Sequence, residues 1–149
     1  MNNEKEKNAT SRFEQGFACS QSVLSTFAPE LGLSEKTALK IASAFGGGMV
    51  RQGEVCGAVT GALMTLGLKY GSTSPDNEEE IREASQELMQ RFKEKNGSLL
   101  CRELLGYHLI IPEELEAAKE SDVFSTVCPL LVQNATTLAE KIMREKTDN

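Results

Sequence analysis

The chain has 149 residues, about the size of one domain, and is long enough to bury a core without a disulfide scaffold. Acidic residues outnumber basic ones by 22 to 16 and the net charge is −6, so no basic surface for a nucleic-acid backbone is expected. The composition includes four cysteines, one histidine and no tryptophan. The cysteines are therefore the first candidates for a chemical role.

The N-terminal residues, Met-Asn-Asn-Glu-Lys-Glu-Lys-Asn, are polar and lack the apolar segment of a secretion signal. We therefore predict a cytoplasmic protein whose residues 1–10 are frayed or disordered. Thiols are usually reduced in that compartment, which favours metal binding or redox chemistry over a static disulfide framework. The apolar stretch over residues 55–68 is shorter than the roughly 20 residues needed to cross a bilayer, so no membrane span is predicted.

Apolar residues recur at helical spacing through the chain, which predicts an all-α fold with about six or seven helices in one compact domain over residues 1–149. Ser34 is predicted to cap a helix that ends at the run Gly46-Gly47-Gly48. The inner face of this helix would carry Ala38, Ile41, Ala42 and Phe45. Residues 55–68 are predicted to form a buried central helix, in which Gly57 and Gly61 would let a neighbouring helix approach closely.

Four more helices are predicted in the second half of the chain. The first follows Glu78-Glu79-Glu80 and ends at Asn96-Gly97, and Ser98 would cap a short helix that Gly106 closes. Pro112 is a favourable first residue for the next helix, and the last helix is expected over about residues 129–145. The inner faces of the first and last of these helices would carry Ile81, Ala84, Leu88 and Phe92, and Leu131, Ala135, Leu138 and Ile142, respectively.

All four cysteines fall at or near the predicted helix N-termini: Cys19, Cys56, Cys101 and Cys128. A helix N-terminus has unpaired N–H donors and a partial positive charge, and both stabilise a thiolate relative to a thiol. The thiolate is the form that attacks disulfides and also the form that binds metals. Buried cysteines that only pack as small hydrophobes are the alternative explanation.

Successive cysteines are 37, 45 and 27 residues apart, and the chain contains no Cys-x-x-Cys motif. The spacing therefore excludes a thioredoxin-type pair, a zinc ribbon and the closely spaced ferredoxin motifs. No Cys-x-x-Cys-His motif is present, so no covalently attached haem is predicted. A site shared by the four cysteines would have to be assembled by the fold.

The motifs around the cysteines resemble those of the C-GCAxxG-C-C family, a group of small proteins described as redox-active. The resemblance rests on Cys19 with Ser-Gln-Ser-Val-Leu, on the blocks Phe-Gly-Gly-Gly-Met and Cys-Gly-Ala-Val-Thr-Gly-Ala-Leu, and on the isolated Cys101 and Cys128-Pro129. It extends from about Phe13 to Ile142 and implies redox activity without indicating a substrate. A more distant resemblance links the chain to the helical, non-haem part of split-Soret cytochromes. That resemblance implies iron–sulfur ligation by Cys19, Cys56, Cys101 and Cys128.

Three functions remain open at this point. In the first, the four thiolates hold an iron–sulfur cluster, or another thiophilic metal such as zinc, for electron transfer or sensing. In the second, the protein is a thiol–disulfide redox protein in which Cys56 attacks, Arg51 adds positive charge and a second cysteine resolves the mixed disulfide. In the third, a helical interaction domain merely packs its cysteines and needs no cofactor. His108 is a weaker candidate, and neither a homodimer nor the redox partner can be read from the chain.

Overall fold

The computed structural model describes residues 3–148 of the chain. Within this range, eight α-helices have five or more residues, and two further α-helical segments and the 3-10 helix Ala28–Leu31 have four residues each. No residue in this range belongs to a β-strand of a sheet. The α-helical segments are α1 (Glu4–Glu14), α2 (Cys19–Phe27), α3 (Glu35–Ile41), α4 (Gly46–Met49), α5 (Gly57–Tyr70), α6 (Glu79–Asn96), α7 (Cys101–Leu105), α8 (Pro112–Glu120), α9 (Val123–Thr126) and α10 (Cys128–Asp148). The predicted all-α class is confirmed, and the predicted count of six or seven helices is slightly too low.

The helix missing from the prediction is α1. Residues 1–10 were expected to be frayed, but residues 4–10 belong to this helix, and residues 1 and 2 lie outside the described part of the chain. Ala9 is fully buried, and the carboxylate of Glu6 accepts hydrogen bonds from Gln133 and Thr137 on α10. The contacts that order this polar segment come from the other end of the chain, which a local sequence pattern does not reveal.

The central helix α5 lies in the middle of the fold and packs against α2, α6 and α10. Its residues Ala58, Val59, Ala62 and Leu66 are fully buried, as the apolar run predicted. The predicted inner residues of α6 and α10 also lie in the core, with Ile81 partly buried. In the described part of the chain, no helix is long and apolar enough to cross a membrane.

Two predicted helix boundaries are wrong. The helix that Ser34 caps ends at Ile41, which is half exposed, instead of continuing to Phe45. It ends early because Ser20 on α2 donates a hydrogen bond to the carbonyl of Ala42, and Gln21 donates one to the carbonyl of Leu39. These side chains provide partners for the carbonyls at the helix C-terminus, which the helix itself leaves unpaired.

The second boundary concerns α7, whose N-cap is Leu100 and not Ser98. Leu100 is extended because it pairs with Val55 in an isolated antiparallel bridge. Ser98 still supports the start of the helix, since its hydroxyl accepts the N–H of Leu100 and donates to the carboxylate of Glu103.

The run Gly46-Gly47-Gly48 starts a left-handed turn. Gly47, Gly48, Met49, Val50 and Arg51 all have positive φ, between 53° and 70°. Three of these residues have side chains, and each such residue in the left-handed region costs roughly 1–2 kcal/mol. The turn therefore stores backbone strain, which the surrounding structure must offset.

Gly61 lets α2 pack closely against α5. A Cβ atom at this position would lie 2.7 Å from the carbonyl oxygen of Ser20 and 3.1 Å from Cβ of Val23. We expect Gly61→Ala to lower the free energy of unfolding by about 1–3 kcal/mol, because the added methyl forces the two helices apart.

Gly67 provides the matched control on the same helix, since a Cβ atom there would have no neighbour within 4 Å. Gly67→Ala should raise stability by up to about 1 kcal/mol, the ordinary difference in helix propensity. Urea unfolding of the two variants measures both effects. Equal effects in the two variants would contradict the close approach at Gly61.

Candidate cysteine site

Cys19 and Cys128 come together from opposite ends of the chain. Cys19 is the first residue of α2, and Cys128 is the first residue of α10. The two thiols lie close enough for a hydrogen bond from Cys19 to Cys128 to shift the pKa of both groups. The prediction that these two cysteines start helices is confirmed, and the fold brings the two helix N-termini together.

Cys56 and Cys101 are connected through the bridge between Val55 and Leu100. The N–H of Cys56 donates to the carbonyl of Leu99 at 2.8 Å, and the N–H of Cys101 donates to the carbonyl of Glu54 at 2.7 Å. Cys56 is the N-cap of α5, and Cys101 is the first residue of α7. This short antiparallel pairing fixes the two cysteine-bearing segments side by side.

All four cysteines line one cavity of about 770 Å³. Cys19 is half-buried, whereas Cys56, Cys101 and Cys128 are each no more than 6% exposed. All four are free thiols. The fold thus assembles, from four separate helix N-termini, a group of sulfur atoms that the sequence spacing alone could not show to converge.

The pKa shifts divide the four thiols into two groups. The hydrogen bond from Cys19 lowers the pKa of Cys128 despite the opposing effect of burial, and the same bond raises the pKa of Cys19 well above its usual range. Burial raises the pKa of Cys56 to about 11, although the N–H groups of Ala58 and Val59 act in the opposite direction. Burial also raises the pKa of Cys101 to about 12, with a smaller contribution from the neighbouring Cys56 and Cys128.

These shifts bear on the expectation that Cys56 is the attacking thiolate. A raised pKa keeps Cys56 protonated near neutral pH, whereas the hydrogen bond from Cys19 favours the thiolate of Cys128. In the metal-free protein, we therefore expect Cys128 to be present as the thiolate more readily than Cys56. A helix N-terminus did not by itself lower the pKa of Cys56, because the same position is deeply buried.

Arg51 lines the cavity, as its position close to Cys56 in sequence suggested, and Lys119 of α8 lines it too. Lys119 was not predicted, because its helix shows no pattern that points towards the cysteines. His108 is not among the cavity-lining residues, and its Nε2 atom lies 3.1 Å from the carbonyl oxygen of Gln52. This contact gives His108 a structural role at the end of the left-handed turn.

Within residues 3–148, no three or more cysteine, histidine, aspartate or glutamate side chains are grouped so that they could hold a single metal ion. The four thiols instead line the cavity, with one pair near enough to interact and a second pair joined through the backbone bridge. This arrangement does not resemble the compact tetrahedral cage of a structural zinc site.

Residues 17–142 match the protein family described as "Putative redox-active protein (C_GCAxxG_C_C)". The match covers most of the chain and all four cysteines, so the chain belongs to this family. No curated protein and no solved structure matches it. The resemblance to split-Soret cytochromes therefore stays a prediction.

In reduced, metal-free protein, we expect iodoacetamide to label Cys128 several times faster than Cys56 or Cys101 near neutral pH. The reason is that the reactive thiolate is favoured at Cys128 and disfavoured at the other two. Cys19→Ala removes the hydrogen-bond donor, so labelling of Cys128 should slow. The pH at which the labelling rate of Cys128 reaches half its maximum should rise. Peptide mass spectrometry over a pH series measures each rate.

The same labelling in concentrated urea is the control, because the unfolded chain should lose these differences between the cysteines. Faster labelling of Cys56 than of Cys128 in the folded protein would contradict the assigned hydrogen bond.

Proposed function

We propose that this protein is a redox protein whose four cysteines hold a [2Fe–2S] cluster for electron transfer or sensing. The observation that carries the proposal is that four thiols from four separate helix N-termini line one cavity. A thiol–disulfide protein needs two cysteines, and a set of packing residues would not need to face a common cavity. Four cysteines are the usual ligand set of iron–sulfur clusters.

The arrangement of the thiols in pairs supports a two-iron cluster over a single metal ion. Each iron of a [2Fe–2S] cluster takes two protein ligands. Cys19 and Cys128, whose thiols interact, would supply one pair, and Cys56 and Cys101, which follow the two bridged residues Val55 and Leu100, would supply the other. When bound, the cluster would supply one-electron redox chemistry.

The surroundings of the thiols suit a negatively charged group. The cavity-lining residues of the described chain include Arg51 and Lys119 but no aspartate or glutamate. The helix N-termini direct partial positive charge towards the sulfur atoms. Both features lower the cost of holding four thiolates in one site, which the raised pKa values of Cys19, Cys56 and Cys101 in the metal-free protein would otherwise oppose.

A dithiol redox protein is the second candidate, and the hydrogen bond between Cys19 and Cys128 favours it. In this case the Cys128 thiolate attacks a disulfide of a substrate and releases one substrate thiolate. The Cys19 sulfur, after losing its proton, then displaces the second substrate thiol. The two cysteines end as an intramolecular disulfide, and the substrate gains the two electrons.

Anaerobic reconstitution with ferrous iron and sulfide tests the first candidate against the second. We expect a coloured protein with about two iron atoms and two sulfides per chain, the composition of a [2Fe–2S] cluster. A colourless protein that binds no iron would overturn the cluster proposal. In that event, loss of about two thiols on mild oxidation, with a Cys19–Cys128 disulfide in the peptide map, would support the dithiol function.

The cytoplasmic location stays a prediction from the sequence.

A further inference from the structure

The cavity is larger than the thiols require. Its volume of about 770 Å³ lies within the range of roughly 300–1,000 Å³ that is typical of small-molecule sites. A compact two-iron cluster would occupy only part of this space. Much of the remaining wall is apolar, with Phe17, Leu105, Leu109, Phe124 and Leu131 among its residues.

The charged groups on the cavity wall are cationic. Arg51 and Lys119 line it, whereas no carboxylate among the described residues does, although acidic residues predominate in the whole sequence. Lys119 has a loose ion pair with Glu116 at 3.6 Å. In the described part of the chain, the Arg51 guanidinium makes no ion pair or hydrogen bond within the protein, and the residue is exposed at the cavity, so its donors can reach a ligand.

Arg51 lies beside the cavity, in the strained left-handed turn. Arg51 is the last of the five consecutive residues with positive φ, and its own φ is 64°. Its Cγ atom would lie 2.9 Å from a Cβ atom at position 47, so only glycine at that position leaves room for the arginine stem. Strain of this kind persists where the structure holds a residue for a specific use.

We propose that the cavity binds an organic carboxylate with an apolar body as an effector of the cysteine site. The carboxylate would bind Arg51, whose planar guanidinium fits two carboxylate oxygens, and Lys119 would add positive charge. The apolar body would lie against the phenylalanine and leucine side chains, close to the sulfur atoms. The effect of this ligand on the cysteine site rests on the proposed function, but its binding does not.

The test uses 2-naphthoate and its neutral counterpart 2-naphthalenemethanol as probes of the reduced, metal-free protein. Calorimetric titration should show that the wild type binds the anion about tenfold or more tightly than the alcohol. Arg51→Gln should weaken anion binding by about tenfold or more, since it removes the charged partner of the carboxylate. Arg51→Lys should retain part of the affinity for 2-naphthoate. Lys119→Gln should lose less of this affinity than Arg51→Gln does.

Lys40→Gln is the matched control, because Lys40 is exposed on α3 and does not line the cavity, but its replacement changes the net charge equally. This variant should bind 2-naphthoate like the wild type. Equal affinity of the wild type for the two probes, or equal losses in Arg51→Gln and Lys40→Gln, would overturn the inference.

Iron content after reconstitution separates this inference from the proposed function. Unchanged iron content in Arg51→Gln, together with weaker anion binding, would support a ligand role for Arg51. Reduced iron content with unchanged anion binding would overturn the inference, because Arg51 would then only stabilise the thiolates. Failure of the wild type to bind iron would contradict the cluster while leaving the anion measurement valid.

Discussion

Replacing any one of the four cysteines by serine is expected to lower the iron content of the reconstituted protein to less than about half that of the wild type. The physical reason is that each thiolate occupies a separate ligand position, and a serine hydroxyl is a poor substitute for the soft sulfur that iron–sulfur clusters require. Iron and acid-labile sulfide per folded chain, measured after anaerobic reconstitution, provide the readout.

Ser43→Ala is the control for this series, because Ser43 lines the same cavity without contributing a thiol. Its iron content should equal that of the wild type.

The pattern among the four cysteine variants also discriminates between the two candidate functions. Loss of redox activity in Cys19→Ser and Cys128→Ser, with full activity in Cys56→Ser and Cys101→Ser, would contradict the cluster and support the dithiol pair.

Gly48→Ala is expected to cost about 2–4 kcal/mol of unfolding free energy and to disrupt the cysteine site. A Cβ atom at this position would lie 2.6 Å from the backbone nitrogen of Glu54 and 2.7 Å from Cβ of Cys101. Its φ of +70° adds a conformational cost that a residue with a side chain must meet. Because Glu54 accepts the hydrogen bond from the N–H of Cys101, moving it should also displace that cysteine.

Gly32→Ala separates the two contributions to this effect. Gly32 also has a positive φ, but a Cβ atom there would have no neighbour within 4 Å. Its replacement should therefore cost only about 1 kcal/mol, the price of the backbone conformation. Urea unfolding compares the two variants, and equal costs would show that the contacts of Gly48 with Glu54 and Cys101 do not matter.

The helices with a strong local signal could be predicted from the sequence. The hydroxyl oxygen of Ser34 accepts the N–H of Thr37 at the start of α3, and Pro112 opens α8. Gly97 and Gly106 follow the ends of their helices in left-handed conformations. Each of these signals acts within one or two turns of the chain, and the local backbone satisfies it. The cysteines could be placed at helix N-termini for the same reason.

The features that were predicted wrongly depend on residues that are distant in the chain. The end of α3 is set by hydrogen bonds from Ser20 and Gln21 on α2, and the first turn of α1 is ordered by contacts of Glu6 with α10. Burial is also a property of the whole fold, which is why the pKa of Cys56 rises at a position where the helix N-terminus alone predicted a fall. Lys119 could be assigned to the cavity only from the structure.

The central claim is that the four cysteines form one redox site that holds a two-iron cluster. Iron K-edge X-ray absorption of the anaerobically reconstituted protein tests it most directly, because it reports the atoms around each iron. We expect about four sulfur neighbours and one iron neighbour per iron atom, as two thiolates and two bridging sulfides require. Isolated iron atoms with oxygen or nitrogen neighbours would contradict the claim.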